Sequence, residues 1–208
     1  EAVVLSDWVT VGARNEPEIL LTPDALYVPR LVNARNHDQC SVALSGTHLL
    51  TGGTGGLGLM TARWLAEHSA AVVLSSRLGA INARGKVGWA QLQSSGGLSR
   101  LQRADASQYC DIGRLTLEVQ GRLPPLGGVW HAAGMLADAL LAMQTAGLLV
   151  RVFAPKAHGS YVVHRVMAPT PLRAAILFSS AAALLGNAAQ SNYAAANSCL
   201  DDLATSRR

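Results

Sequence analysis

Residues 45–60 read SGTHLLTGGTGGLGLM, and this stretch decides the fold. A short apolar strand at 48–51, closed by Thr51, runs into Gly52-Gly53-Thr54-Gly55-Gly56-Leu57-Gly58, and a helical pattern follows to residue 69. Glycine lets the backbone turn sharply and lets a ligand approach with no Cβ in the way. The following helix presents free N–H groups and the positive end of its dipole, so strand, turn and helix together form a phosphate cradle. Gly52, Gly56 and Gly58 hold the fixed places of T-G-x-x-x-G-x-G. A merely flexible glycine-rich loop would need neither the strand before it nor the helix after it.

Outward from the turn the chain alternates. Strands are expected at 71–75, 98–104, 128–132 and 174–179. Helices are expected at 57–69, weakly around 89–94, from near Asp111, over 137–166 with an interruption near Pro155, and over 193–206. Such alternation implies right-handed βαβ crossovers and an α/β, doubly wound parallel sheet of the Rossmann-like kind. Residues 1–44 differ. Short apolar pieces at 2–5, 8–11, 19–21, 25–28 and 31–32 are separated by Asn-Glu-Pro, Thr-Pro-Asp and Val-Pro-Arg, a pattern of short strands and turns. The expected division is therefore 1–44, the tail of a preceding module with a scaffold role, and 45–208, the nucleotide-binding unit.

Hydrophobic residues make up 50% of the 208 and charged residues 14%, which suits a dense interior rather than a solvated chain. The net charge of +4 is almost all arginine, because Lys86 and Lys156 are the only lysines. The basic residues are scattered, with no run resembling a nucleic-acid arm. Between Ala139 and Leu200 there is no acidic residue, whereas Arg151, Lys156, Arg165 and Arg173 all fall there. Positive potential in that region would suit an anionic cofactor or an acidic carrier. Cys40, Cys110 and Cys199 form no C-x-x-C pair, so a reducing, cytoplasmic setting is expected. The histidines lack ligand spacing, and no metal is expected. The longest apolar run, 174–186, is interrupted by Ser179-Ser180 and too short to span a bilayer, and the amino end has no signal-peptide pattern.

The strand ends carry the chemistry. At the tip of strand two, an acid would hold the 2′-hydroxyl of NAD and an arginine the 2′-phosphate of NADP. The chain has Ser76-Arg77 there and no acid, which reads as NADPH. An ordinary loop arginine is the alternative for Arg77 taken alone. Asp105 and Ala106 follow strand three, where the carboxylate could accept from the adenine amino group. His131-Ala132-Ala133-Gly134 closes strand four with small residues against which a nicotinamide ribose could lie. Ser180 closes strand five, Tyr193 lies thirteen residues later, and Asn197 sits one helical turn beyond it on the same face. A tyrosine donates a proton near neutral pH only when its phenolate is stabilised, and a nearby cation does that. Lys156 is the available cation. The spacing Y-x-x-x-N means little alone; with Ser180 and Lys156, downstream of a nucleotide turn, it points to carbonyl reduction.

T-G-G-T-G-G-L-G, S-S-R, H-A-A-G, A-P-K-A-x-G, F-S-S and Y-A-A-A-N-S-x-L-D together resemble the ketoreductase domain of type I polyketide synthases, within the short-chain dehydrogenase/reductase superfamily. The resemblance covers essentially 46–204, and residues 26–31, LYVPRL, resemble the end of that family's truncated structural subdomain. It implies NADPH-dependent reduction of a β-ketoacyl thioester on an acyl carrier protein, a 3-oxoacyl-[acyl-carrier-protein] reductase type of activity inside a multidomain synthase. Tyr193 would give the proton to the ketone oxygen, Ser180 would hydrogen-bond that oxygen, and Lys156 would hold the cofactor ribose and support Tyr193. Asn197 would stand where most superfamily members carry the lysine of Y-x-x-x-K. That exchange of lysine and asparagine is the most family-specific signal in the chain.

The resemblance also implies a product configuration. Domains giving the D-hydroxy product usually carry L-D-D after H-A-A-G; this chain has Leu136-Ala137-Asp138. Domains giving the L-product tend to carry tryptophan eight residues before the tyrosine, where this chain has Leu185. Asn192 suits the D-type, while Ala188 replaces a usual proline, and a D-hydroxyacyl product is expected. Members of the family continue beyond Asp201-Asp202-Leu203-Ala204 to a last strand and a lid, so the catalytic unit is expected to be carboxy-terminally incomplete. Two alternatives stand beside this reading: the equivalent domain of an animal-type fatty acid synthase, and a non-catalytic structural relative.

Overall fold

A computed structural model describes residues 20–21, 26–27, 44–68 and 70–207. The chain divides into two units, Glu1–Ser41 and Val42–Arg208. In the first, strand β1 (Leu20–Leu21) pairs antiparallel with β2 (Leu26–Tyr27). The strands expected at 2–5, 8–11 and 31–32 lie outside the described residues, as do Cys40 and Ser69.

In the second unit five strands form one parallel sheet: β3 (Thr47–Thr51), β4 (Ala71–Ser76), β5 (Ser99–Arg103), β6 (Leu126–His131) and β7 (Ala174–Leu177). Their order is β5-β4-β3-β6-β7. The chain therefore winds outward from β3 in one direction, then returns to build on its other side. This is the expected doubly wound sheet. The order reverses between β3 and β6, and in such sheets a ligand crevice opens at the carboxyl ends of the strands flanking that point. Those ends are Thr51-Gly52 and His131-Ala132, joined by the Ala132 N–H donating to the Thr51 carbonyl at 2.9 Å.

Alternate residues of the central strands feed two cores, because successive side chains point to opposite faces. Leu49, Val73 and Val129 pack with Ile112, Leu115 and Val119 of α3 (Tyr109–Arg122) and with Val162, Val163 and Met167 of α5 (Gly159–Met167). Leu50, Val72 and Leu74 pack on the other face with Leu59, Ala62 and Leu65 of α1 (Gly56–Glu67) and Leu92 of α2 (Lys86–Ser94). Every residue of β3 is buried, as a central parallel strand covered on both faces requires.

Three expectations need correction. The long helix expected over 137–166 starts only at Ala146, where the Thr145 side chain accepts from the Leu148 N–H and caps α4 (Ala146–Phe153). Residues 137–140 are irregular, and a single 3₁₀ turn covers Leu141–Met143. The interruption near Pro155 is a π-helical stretch, Ala154–His158, that leads directly into α5 rather than breaking the rod. Proline removes one N–H from the ladder, and the wider turn accommodates the loss. Strand β7 ends at Leu177, so Ser180 does not close it. Ser180 instead caps a short helix not expected from sequence, α6 (Ala181–Leu185), and α7 (Ser191–Ser206) completes the described fold.

Candidate active site

The glycine turn is shaped by contacts that leave no room for side chains at Gly52, Gly53 and Gly58; a Cβ on Gly53 would stand 2.7 Å from the Leu74 Cβ. Gly52 has a φ of +69°, and a Cβ there would lie 2.5 Å from the Ala133 backbone nitrogen. A Cβ on Gly58 would stand 2.6 Å from the Gly53 Cα, so the first turn of α1 presses directly on the loop. Gly56 differs: a Cβ there would meet nothing within 4 Å. The close packing brings the start of α1 against the end of β3.

A cleft of about 340 Å³ runs over this turn. Its walls are Gly52, Thr54 and Gly55, then Ser76, Arg77 and Asn82, then Ala104 to Ala106, then Ala132 to Gly134 with Pro155. Arg77 is exposed at the tip of β4 and lines the cleft. The Ser76 hydroxyl accepts from the Gly79 N–H at 3.1 Å. Asp105 lies two residues beyond the end of β5, and its Oδ1 accepts from both the amide and the hydroxyl of Ser107. The carboxylate thus folds its own loop as well as lining the cleft.

A second cleft of about 300 Å³ adjoins the first, since Ala132 and Gly134 line both. Leu57, Met135, Leu136, Lys156, Phe178, Ser179 and Tyr193 complete it. Lys156 rises from the π-helical turn and is 5% exposed. Its Nζ donates to Asn197 Oδ1 at 2.7 Å and to the Phe178 carbonyl at 2.9 Å. Asn197, fully buried, donates through Nδ2 to the Tyr193 carbonyl at 2.7 Å, so both ends of its amide are held. The ammonium group lies 5.2 Å from the centre of the Tyr193 ring. Burial pushes the Lys156 pKa down to about 8, while the Asp201 carboxylate pulls it the other way. It is still mostly charged at neutral pH. Gly134 is small for a reason visible here: a Cβ would come within 3.1 Å of the Lys156 Cε.

Lys156, Tyr193 and Asn197 are therefore brought together. Ser180 stands apart from their hydrogen-bonded cluster. Its Oγ accepts from the Ala182 N–H at 3.2 Å, leaving its own hydrogen to donate, and its neighbour Ser179 is the serine that lines the cleft. Thr51 and His131 were expected to touch a cofactor. Both are fully buried and line neither cleft; the Thr51 hydroxyl and His131 Nδ1 face each other at 2.7 Å. Gly53 is likewise buried, its N–H donating to the Ser75 carbonyl.

Of the four positions expected to govern product configuration, Leu136 lines the cleft. Asp138 Oδ2 accepts from Gln190 at 3.1 Å, and Asn192, 2% exposed, donates to the Ala137 carbonyl at 2.8 Å. These contacts stitch the loop after β6 to the start of α7. Leu185 is 67% exposed at the end of α6 and lines neither cleft. Asn82, Met135, Pro155, Phe178 and Ser179 line the clefts without having been singled out from sequence. Ser179 was within reach of sequence reasoning, being the first serine of F-S-S. Phe178 contributes a backbone carbonyl, which no side-chain pattern announces. Among the described residues no cluster could hold a metal ion, and no helix is long and apolar enough to cross a membrane.

A family model described as "KR domain" matches residues 46–208. The chain is 38% identical over 167 residues to a phenolphthiocerol/phthiocerol polyketide synthase subunit of Mycobacterium tuberculosis, a match covering 80% of the chain and 8% of that protein. It is 37% identical over 209 residues to polyketide synthase GfsA of Streptomyces halstedii, covering 95% of the chain and 3% of that protein. A solved structure described as "Structure of A-type Ketoreductases from Modular Polyketide Synthase" superposes with a TM-score of 0.85 at 35% identity, over 95% of this chain and 42% of the other. The chain thus spans less than a tenth of either curated relative and under half of that solved chain.

Proposed function

The chain belongs to the KR-domain family, the ketoreductase domains of polyketide synthases, and from that premise we propose that it reduces a β-ketoacyl thioester to a β-hydroxyacyl thioester with NADPH. The family is of the short-chain dehydrogenase/reductase type, and its domains bind a nicotinamide cofactor. The observation that carries the proposal is the cluster of Lys156, Asn197 and Tyr193 in a cleft that shares a wall with the cleft over the glycine turn. The relatives found are polyketide synthases, so the fatty-acid-synthase alternative is not favoured.

The residues of the first cleft fit a dinucleotide. Gly52, Thr54 and Gly55 with the start of α1 would take the pyrophosphate. Arg77, with Ser76 beside it, would take a 2′-phosphate, and Asp105 and Ala106 would border the adenine. Ala132 to Gly134 leave the backbone open to the nicotinamide ribose. When bound, the nicotinamide supplies the hydride for the carbonyl carbon.

The remaining chemistry belongs to this chain. Tyr193 donates its phenolic proton to the ketone oxygen as charge develops there. Ser180, beside the cleft-lining Ser179, would turn its free hydroxyl hydrogen toward the same oxygen, where a donor matters most. Lys156 keeps its charge beside Tyr193 and favours the phenolate left behind. Two of its three N–H bonds go to Phe178 and Asn197, which leaves one for the cofactor ribose. Asn197 fixes the lysine and the backbone of Tyr193 together. The substrate would arrive on the phosphopantetheine arm of an acyl carrier protein, alongside other domains of a larger synthase, with residues 1–44 as the end of a structural subdomain. The family pattern at Leu136, Asp138 and Asn192 is the ground for a D-configured product, and Leu136 lies in the cleft wall.

The test is consumption of NADPH with a simple β-ketoacyl thioester, followed by chiral analysis. We expect turnover and the D-hydroxy product; an L-product would overturn the configuration assigned to Leu136, Asp138 and Asn192. Arg77→Glu should weaken NADPH at least tenfold more than NADH, an ion-pair loss of about 1.4 kcal/mol or more. Equal weakening of both would remove Arg77 from the 2′-phosphate site.

A further inference from the structure

We propose that His131 is a positioning residue for Lys156, its imidazole tying the lysine's backbone carbonyl to the hydroxyl of Thr51 at the end of β3. The ring is fully buried at the end of β6. His131 Nε2 lies 3.2 Å from the Lys156 carbonyl oxygen, which can only accept, so Nε2 carries the hydrogen. Nδ1 then presents its lone pair, and the Thr51 hydroxyl donates to it across 2.7 Å. Burial lowers the His131 pKa to about 4 against the opposing pull of its hydrogen bond to the Lys156 carbonyl, the Lys156 charge adding a smaller push downward, so the ring is neutral at pH 7. Both nitrogens are satisfied in one tautomer.

The position of this bridge gives it a role beyond filling space. Thr51 is the last residue before the glycine turn, and Lys156 sits in the π-helical turn Ala154–His158. A π-turn departs from the regular ladder and needs support from outside the helix. Here His131 reaches it from the adjacent strand, and a Cβ on Gly159 would stand 3.1 Å from the ring's Cε1, so ring and turn are closely fitted. One imidazole therefore links the cofactor cradle to the backbone that aims the ammonium group at Asn197 and Tyr193. An amide can replace half of the link: Gln at 131 can present an N–H where Nε2–H stands, whereas Leu keeps bulk and loses both bonds.

This role rests on the ketoreductase reading, but it can be tested without turnover. Lys86 and Lys156 are the only lysines, so a chain carrying ¹⁵N-lysine shows two side-chain signals, with exposed Lys86 as an internal reference. The groups near Lys156 that carry or gain charge are His131, Tyr193 and Asp201, and the variants leave the last two in place. In His131→Leu the ammonium loses its fixed, desolvated seat, and its titration midpoint should rise from about 8 toward 10.5. His131→Gln should return it close to the wild-type midpoint. In turnover, His131→Leu should lower kcat about tenfold while KM for NADPH changes less than about threefold, because orientation rather than binding is lost. If His131→Leu does not fold, Thr51→Val tests the bridge from its other end and should move the midpoint in the same direction. A folded His131→Leu or Thr51→Val chain with an unmoved Lys156 midpoint overturns the proposal. A Tyr193→Phe chain that still turns over would overturn the catalytic reading instead, and leave the lysine titration to decide the role of His131.

Discussion

Lys156 concentrates the logic of the site in one side chain. Its burial lowers its pKa to about 8, and its two hydrogen-bond partners are a carbonyl and an amide oxygen, neither of them charged. Charge on the lysine is therefore lost as pH rises through about 8 in the free protein. We expect kcat/KM to fall across that pH and the falling limb to move upward in Lys156→Arg, whose charge persists. A limb at the same pH in both would place the titrating group elsewhere. Sequence reasoning reached Lys156 through its rarity and the family resemblance. It read His131 as a cofactor contact, because H-A-A-G marks the strand end but not the direction in which the ring points. That direction depends on Thr51, 80 residues away in sequence.

At the scale of elements, the glycine turn separates two demands that the motif merges. Gly52 and Gly58 are required by the protein itself, through a positive φ and a Cβ clash with Gly53 respectively. Gly58→Ala should cost about 1–3 kcal/mol of stability, measured by denaturant unfolding. Gly56 has open space around it, so Gly56→Ala should leave stability unchanged or raise it by up to about 1 kcal/mol. If phosphate approaches there, the same variant loses NADPH affinity while its unfolding midpoint holds. Unchanged affinity would move the pyrophosphate away from Gly56. Ala189, in the loop before α7, has a φ of +60°, where L-residues are strained; Ala189→Gly relieves about 1 kcal/mol. The alternation of strands and helices was legible because period and glycine punctuation act locally. The π-turn and α6 were not, since both depend on what the tertiary structure packs against them.

For the whole molecule, the neutral buried His131 makes stability depend on pH. Unfolding releases a histidine that takes up a proton near pH 6.5, while the folded ring resists protonation until about pH 4. The contribution of His131 is thus level above pH 6.5 and falls by about 3 kcal/mol as pH drops toward 4. Denaturant unfolding across that range should show the decline, reduced in His131→Gln; an equal decline in both would assign it to other groups. The doubly wound sheet and its crevice at the strand reversal were readable from sequence, since the order of four strand ends is a property of the chain alone. The hydrogen-bonded unit of Lys156, Asn197 and Tyr193 was readable only as a set of candidates, because the π-turn that brings the lysine to α7 is not written in any local pattern. Its most direct test is Tyr193→Phe, assayed for reduction of a β-ketoacyl thioester and, in parallel, for NADPH binding. The account requires reduction to fall by at least about a thousandfold, some 4 kcal/mol of barrier, with NADPH affinity retained. Reduction at the wild-type rate would contradict it.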